Sequence, residues 1–376
     1  MASKSFFEEP REWSARKHRI LTAYLRPFCQ ALSGQVQKGS DRHIYYVDCF
    51  AGAGSYKSPD GSKIEGSPVL AAQIATSLPY PIKCISVESN PQHYASLVRN
   101  TEPYEDIVTN IQGNIDDHIG SILVQIKDNP ALFFLDPFGI VDIPIAGLVD
   151  AIAQRHAITD ALIRYDPTIV GRLCGRALKD AKRGPADAAN LDRIFAGQDW
   201  RNIVTSAARS IDLDHGLLGL YAARLIHMKG SRFKFVASYE LRTLENKRKY
   251  FLIFATGNKL GVKLMSEVLY SAEEEFIDKK AATVQVQQLS LFGEPTEEEL
   301  FALKVDRIAS SIKEVGVSKS SWTYEDLFYE LILSRDWFGR ASERLFRLAS
   351  KKLEEEGKVI KEPGPRSGKT KLTIIV

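Results

Sequence analysis

Polar and glycine residues follow four of the predicted strands, at the point where each strand ends. The first runs into Asp48 and a glycine turn that closes at Gly54, the second ends in Glu88, and the third and fourth lead to Asn114 and Asp136. The carboxyl ends of parallel strands meet at one sheet edge, where open α/β folds bind ligands. Glycine lets the backbone approach a ligand closely, and Glu88 stands where such folds hold ribose hydroxyls. Together the four ends predict a nucleotide-like ligand, although each alone could be a structural turn or cap.

The turn after the first strand is followed by a polar loop and then by a helix. Ser67 is the predicted N-cap of that helix, with Pro68 at its first position. The loop between Gly54 and Ser67 is either a lid over the site or an inert insertion. The residues predicted from these strand ends and turns to bind the ligand are Asp48, Phe50, Ala51, Gly52, Gly54, Ser67, Glu88 and Asn114.

The fourth strand end carries the predicted reaction centre, Asp136, Pro137 and Phe138, followed by Gly139. It is similar to the Asp/Asn-Pro-Pro-aromatic motif of amino-methylating enzymes, which holds the target amine on a carboxylate or amide and a backbone carbonyl. Here Phe138 replaces the second proline and Gly139 the aromatic residue, so the stacking contact of that motif has no counterpart. The alternative is an aspartate that only caps the following turn.

The elements that position these groups alternate along the chain. Short apolar runs occur at 44–50, 82–88, 107–112, 131–136 and 161–165, with helical patterns between them at 67–77, 91–100, 116–127 and 146–154. An N-terminal helix precedes them. Residues 168–230 are mostly helical, and two strands at 233–242 and 250–256 form an antiparallel hairpin. Five parallel strands closed by an antiparallel pair are typical of Rossmann-like methyltransferases, so we predict an α/β fold of that class.

A second domain is predicted at the C-terminus. The predicted boundaries are 1–277 for the methyltransferase-like domain, 278–300 for a linker and 301–376 for a unit of three helices and a two-stranded wing. This order describes a winged helix, and from Lys304 onward it carries 15 basic and 11 acidic residues, a net charge of +4. That balance suits a nucleic acid, but winged helices also bind proteins. The residues predicted to bind nucleic acid are Arg344, Arg347, Lys351, Arg366, Lys369 and Lys371.

Composition narrows the function classes. With 376 residues and a net charge of +3, the chain has room for two domains and no strongly basic character overall. It has no apolar run of bilayer length and no signal-peptide pattern, which predicts a cytoplasmic protein without membrane contact. Four widely spaced cysteines predict reduced core thiols, and no metal-binding or phosphate-loop motif occurs.

These residues resemble the three-Cys-motif partner family, known as TcmP, over about residues 10–275. That resemblance implies a methyltransferase-like fold and a partner bearing a three-cysteine motif, which looks like a radical S-adenosylmethionine protein. The segments that carry it are Trp13-Ser14, Lys17-His18, Tyr24-Leu25, Asp48–Tyr56, Gly66–Pro68, Val87-Glu88, Asp136–Gly139, Phe254–Thr256, Gly261 and Met265.

Part of the pattern is also similar to bacterial ribosomal RNA adenine-amine methyltransferases. By that similarity Lys17 and His18 face the cofactor, with Lys17 near its carboxylate. Two hypotheses follow for the chain. One is an S-adenosylmethionine-dependent methyltransferase that acts on nucleic acid with Asp136 at the acceptor; the other is a noncatalytic scaffold that binds a nucleic acid or a partner on the same fold.

Overall fold

The computed structural model describes residues 12–36, 41–57, 61–137, 143–243, 247–285, 296–319, 321–334, 337–362 and 370–375. The chain divides into two compact units, residues 1–261 and 262–376. The boundaries predicted from sequence, at 277 and 300, stay predictions. Helices nevertheless occupy residues 278–285 and 297–300 of the predicted linker.

The first unit is built on a seven-stranded sheet. The strands of the unit, including two outside that sheet, are in chain order β1 (Ile44–Asp48), β2 (Ser55–Lys57), β3 (Lys63–Glu65), β4 (Ile82–Glu88), β5 (Val108–Gln112), β6 (Ala131–Leu135), β7 (Thr159–Tyr165), β8 (Phe235–Arg242) and β9 (Arg248–Thr256). The sheet runs β5-β4-β1-β6-β7-β9-β8, and β2 pairs only with β3. The first five strands of that order are parallel, while β9 is antiparallel to both β7 and β8. This is the mostly parallel α/β sheet of Rossmann-like methyltransferases, as predicted.

The strand order creates a crevice beside β1. After β1 the chain adds β4 and β5 on one side and then crosses to place β6 on the other side. The connections that leave β1 and β6 therefore diverge, and ligands of doubly wound sheets bind at such a switch point. All five residues of β1 and of β6 are buried, so the two strands are fixed by core packing on both faces.

Helices cover both faces of the sheet. They are α1 (Glu12–Leu32), α2 (Ser67–Ser77), α3 (Pro91–Thr101), α4 (Ile115–Ile126), α5 (Asp150–Ala153), α6 (Pro167–Lys179), α7 (Gly184–Ile194), α8 (Trp200–Ser206) and α9 (Ser210–His227). The predicted apolar face of α1 is confirmed, because Ile20, Leu21, Tyr24, Leu25 and Phe28 are all buried. The predicted helix over 146–154 is wrong in its first half, where a π-turn spans Ile145–Val149 with Gly147 at φ +94°.

The polar segment between Gly54 and Ser67 forms a hairpin rather than an irregular loop. Strands β2 and β3 pair antiparallel, with Tyr56 opposite Ile64. The N–H of Gly66 donates to the carbonyl of Gly54 at 2.8 Å, so the hairpin is clasped at its base. A Cβ on Gly66 would lie 3.1 Å from the Gly54 carbonyl group, and this close approach explains the glycine.

The second unit contains most of α10 (Lys259–Gln285), then α11 (Glu297–Gly316), β10 (Trp322–Thr323), α12 (Tyr324–Leu333), α13 (Glu343–Glu355), β11 (Val359–Glu362) and β12 (Lys371–Ile374). The three short strands form one antiparallel sheet in the order β10-β12-β11. Helix α11 begins at Glu297, inside the predicted linker, because Thr296 and Glu299 form a reciprocal capping box. This order of helices and strands is compatible with the winged helix that the sequence predicts, and that assignment stays a prediction.

Among the described residues no helix is long and apolar enough to cross a membrane. The four cysteines are buried in the first unit.

Candidate functional site

The turn after β1 is organised around a buried carboxylate, Asp48. Its Oδ2 accepts from the hydroxyl of Tyr46 at 2.9 Å and its Oδ1 from the backbone N–H of Phe50 at 3.3 Å. The Ser67 hydroxyl also bonds this carboxylate. Burial raises the pKa of Asp48 to about 6, although these hydrogen bonds oppose the shift. Asp48 therefore fixes the start of the glycine turn and of α2.

Ser67 is not the N-cap of α2. Gly66 occupies that position, with φ −85° and ψ 173°, and it provides no side-chain cap. The prediction is wrong at this residue because the Ser67 hydroxyl turns to the buried Asp48 carboxylate instead, and a hydrogen bond to a charged group is stronger than one to a backbone N–H.

Glu88, at the end of β4, holds the glycine turn from the other side. Its Oε2 accepts from the N–H of Gly52 at 2.8 Å and its Oε1 from the N–H of Asn90 at 2.6 Å. Gly52 lies at φ +64°, a conformation that favours glycine. The carboxylate is 9 % exposed, and each oxygen keeps a further lone pair for a ligand.

A cavity of about 380 Å³ opens beside Glu88. Small-molecule sites have volumes of roughly 300 to 1,000 Å³, so a nucleoside-sized ligand is accommodated. Of the predicted ligand residues, Phe50, Glu88 and Asn114 line it. The lining residues outside the predicted ligand set are Cys49, Val87, Ser89, Gly113, Ile115, Asp116, Asp117, Pro144, Leu148, Asn190 and Arg193.

Two of those residues come from α7, in the helical insertion. Arg193 reaches back to Asp116 at 3.2 Å, which places α7 at the wall of the cavity. No local sequence signal marks Asn190 or Arg193, because they lie far along the chain from the strand ends that they face.

A second group of polar side chains lies at the end of β6. Lys17 of α1 forms an ion pair with Oδ2 of Asp136, and the two side chains are 10 % and 15 % exposed. The other oxygen of Asp136, Oδ1, is buried and has no hydrogen-bond partner within the described ranges. His18 is buried beside them, and its pKa is lowered to about 4 by burial and by the Lys17 ammonium. At neutral pH the imidazole is therefore uncharged.

The backbone that follows Asp136 is anchored by an arginine. Arg164 of β7 donates from Nη1 to the carbonyl of Pro137 at 2.8 Å and from Nη2 to Asp166 at 3.2 Å. Its guanidinium lies 5.1 Å from the ring centroid of Tyr250. Phe138, the third predicted catalytic residue, lies outside the described residues.

Tyr56 is a site residue that the predicted ligand set omits. Its hydroxyl oxygen lies only 2.9 Å from where a Cβ on Gly52 would be, so the phenol covers the glycine turn. Burial raises the pKa of Tyr56, and the neighbouring carboxylates of Asp136, Asp48 and Glu88 raise it further. The hydroxyl thus stays protonated among three carboxylates and remains a hydrogen-bond donor.

The predicted residues fall into two sets, and Tyr56 interacts electrostatically with carboxylates of both, Glu88 in one and Asp48 and Asp136 in the other. Phe50, Glu88 and Asn114 line the cavity, while Lys17, His18 and Asp48 lie nearer Asp136. Ala51, Gly52 and Gly54 form the turn between the sets, and Gly54 sits at φ +75° against Leu97 and Asn100. Their contacts with a ligand stay predictions.

The predicted nucleic-acid residues lie in the second unit. Arg347 is 71 % exposed and pairs with Glu343 at 3.3 Å, and Lys351 is 67 % exposed and pairs with Glu355 at 3.6 Å. The guanidinium of Arg344 lies 5.9 Å from the ring centroid of Phe301. Lys371 is exposed on β12, whereas Arg366 and Lys369 lie outside the described residues.

No family model matches the chain, and no curated protein matches it by sequence. Among solved structures, it is similar to the O-methyltransferase TomG from Streptomyces achromogenes, solved in complex with SAM, at 12% identity over 68% of this chain and 93% of that one, with a TM-score of 0.36. It is similar at the same identity to protein LPL1258 from Legionella pneumophila, over 72% and 91% of the two chains, with a TM-score of 0.42. It is also similar to the O-methyltransferase from Bacillus cereus in complex with SAH, at 12% identity over 63% of this chain and 80% of that one, with a TM-score of 0.30. Because these likenesses are distant, the fold assignment rests on the strand order described above.

Proposed function

We propose that the chain binds S-adenosylmethionine at the carboxyl edge of its sheet and transfers the methyl group to a nucleic acid. The observation that carries the proposal is the pair of polar sets flanking the switch point of β1 and β6: a Glu88-lined cavity on one side and Asp136, with an unpartnered buried oxygen, on the other. One set suits a nucleoside and the other suits a reacting group.

The residues of the first set fit the nucleoside half of the cofactor. Glu88 keeps lone pairs for two ribose hydroxyls, and Asn114 with Asp116 and Asp117 offers polar edges to a base. The glycine turn lets the backbone approach such a ligand closely. The fit thus rests on the donors and acceptors of these side chains and on the cavity volume.

The residues of the second set fit the rest of the cofactor and the acceptor. When bound, S-adenosylmethionine supplies a methyl group on a positively charged sulfur. Lys17 is placed to balance the amino-acid carboxylate of the cofactor, in line with the similarity to ribosomal RNA adenine-amine methyltransferases. Asp136 can accept a hydrogen from an amine and orient its lone pair, and it stabilises the positive charge that develops on that nitrogen.

The acceptor and the partner are proposals of their own. A predicted winged helix, whose segment from Lys304 onward has a net charge of +4, supports nucleic acid, and the resemblance to the TcmP family supports a partner with a three-cysteine motif of the radical S-adenosylmethionine kind. The competing function is a noncatalytic scaffold. It is favoured by one observation: the Pro137 carbonyl, which could hold a target amine, already accepts from Arg164, so one of its two lone pairs is occupied.

Calorimetry with S-adenosylhomocysteine tests the cofactor site. Glu88→Gln keeps the shape of the side chain and removes its charge, so the dissociation constant is expected to rise at least about tenfold, which is about 1.4 kcal/mol. Glu65→Gln is the matched control, since Glu65 bonds Gln73 on α2 at 2.7 Å and does not line the cavity. Absence of heat with the folded wild type at millimolar ligand would overturn the proposal.

A further inference from the structure

The ion pair between Lys17 and Asp136 joins the two groups that the proposed reaction needs apart. Lys17 comes from α1 and Asp136 from the end of β6, and both side chains are largely buried. While they are paired, each charge is balanced by the other, so the ammonium attracts a ligand carboxylate less strongly and Oδ2 of Asp136 attracts an acceptor less strongly.

The environment offers Lys17 no second carboxylate among the described residues. Asp48 is already bonded by Tyr46, Ser67 and the Phe50 N–H. His18 is uncharged at neutral pH and competes for neither charge. The ring centroid of Phe134 lies 5.9 Å from Nζ of Lys17, close enough for the ring face to attract the ammonium.

The pair is also incomplete on the Asp136 side. Oδ1 is buried without a partner within the described ranges, although a buried carboxylate normally has both oxygens hydrogen-bonded. A single ion pair therefore holds a carboxylate that has unused hydrogen-bonding capacity, and such an arrangement suits a group that changes partner.

We infer that Lys17 is a positioning residue that exchanges partners: it leaves Asp136 for the carboxylate of the incoming cofactor, so that Oδ2 and the unbalanced charge of Asp136 are offered to the methyl acceptor only after the cofactor has bound. The inference rests on the proposed function. Cofactor binding then includes breaking the Lys17–Asp136 pair, which weakens the observed affinity. The acceptor is expected to bind more tightly after the cofactor than before it.

The exchange predicts that one substitution at the site strengthens ligand binding. Removing the Asp136 charge releases Lys17 in advance, so Asp136→Asn is expected to bind S-adenosylhomocysteine more tightly than wild type, by about fivefold or more. The thioether ligand is chosen because it lacks the positive sulfur, which Asp136 attracts by itself. Lys17→Met is expected to weaken binding at least about tenfold, because the ligand carboxylate loses its counterion.

The double variant separates exchange from simple repulsion between Asp136 and the ligand carboxylate. If Lys17 exchanges partners, Asp136→Asn gives no gain in the Lys17→Met background, and the double variant binds like Lys17→Met alone. Repulsion alone would leave the gain intact. Asp214→Asn is the matched control, because Asp214 forms a comparably buried pair with Arg248 at 2.6 Å, and its affinity is expected to equal that of wild type.

Dissociation constants are measured by calorimetry on the full chain, with folding checked by circular dichroism and with Lys17→Gln as the second variant if Lys17→Met does not fold. Tightening that depends on Lys17 supports the exchange. Unchanged or weaker binding by Asp136→Asn overturns it, as does tightening that persists without Lys17. Because wild type is measured alongside, a failure of the cofactor site itself shows as no binding in any variant.

Discussion

Charged side chains at the carboxyl edge of the first unit differ from those on α13 of the second unit. At the edge, Lys17 and Asp136 are 10 % and 15 % exposed, and one carboxylate oxygen lacks a partner within the described ranges. On α13, Arg347 and Lys351 are 71 % and 67 % exposed and are each paired with a glutamate one turn away. Water and salt screen the exposed pairs, so they can separate at small cost. Buried and incompletely matched charges mark the first region as the place for chemistry, while α13 has the charge pattern of a solvated face.

The largest effect, on turnover, is expected from a substitution of the buried carboxylate Asp136. Asp136→Ala should lower turnover about 100-fold or more, because one preorganised electrostatic partner of the reacting group is lost. Tritiated-methyl transfer to cellular DNA, RNA and protein fractions measures it, with and without a three-cysteine partner. Asp214→Asn, which changes a carboxylate elsewhere in the unit, should label like wild type. Equal labelling by Asp136→Ala would keep the enzyme and discard this residue; no labelling by a wild type that binds cofactor would favour the scaffold.

Nucleic-acid binding tests the role of the exposed basic residues of α13. If Arg344, Arg347 and Lys351 leave their partners for phosphates, changing all three to alanine should weaken binding by the full chain. The slope of log affinity against log salt should become shallower by about 0.9 for each phosphate of duplex DNA that the variant no longer neutralises. Arg209→Ala serves as control, since Arg209 is 74 % exposed and paired with Asp212 in the first unit. An unchanged affinity and slope would identify the winged unit as an adaptor for protein.

A smaller effect concerns a buried carboxylate away from the reaction edge. Asp160, near the start of β7, accepts from the Tyr24 hydroxyl at 2.6 Å, and its Oδ1 has no partner within the described ranges. Burial raises its pKa from the usual 3.8 to about 6. The folded state therefore takes up a proton between these values, and stability associated with this group is lost as pH rises through about 6.

Asp160→Asn removes that dependence. Relative to wild type, the variant should gain on the order of 2 kcal/mol in free energy of unfolding when pH is raised from about 4 to about 7, as measured by urea titration. Asp192→Asn should show a pH dependence of the opposite sign and mainly below about pH 4, because hydrogen bonds from Arg201 lower the pKa of Asp192 from the usual 3.8. Parallel pH profiles for wild type and Asp160→Asn would contradict the assignment.

The sequence predicts which residues lie at the strand ends, but it does not predict which side chains from other elements contact them. Buried β-strands such as β1 and β6 have short apolar runs, so Asp48, Glu88 and Asp136 could be placed at one edge in advance. The pairing of Lys17 with Asp136 could not, because the two lie 119 residues apart on different elements. The wall formed by α7 was missed for the same reason. The sequence predicts a loop where the hairpin with Tyr56 lies, because the two short strands of the hairpin are polar and lack an apolar run.

The hydrogen bond between Gly66 and Gly54 holds the two ends of that hairpin together, and its strands lie outside the seven-stranded sheet. The chain enters the hairpin after Gly54 and returns at Gly66, whose N–H lies 2.8 Å from the Gly54 carbonyl oxygen, so the two ends of the hairpin adjoin. Lengthening, shortening or exchanging the hairpin therefore changes loop-closure entropy but not the register of the sheet. The part of the molecule that brings Tyr56 to the cofactor turn is thus free to diversify in evolution, or to be grafted between related chains, while the fold beneath it stays constant.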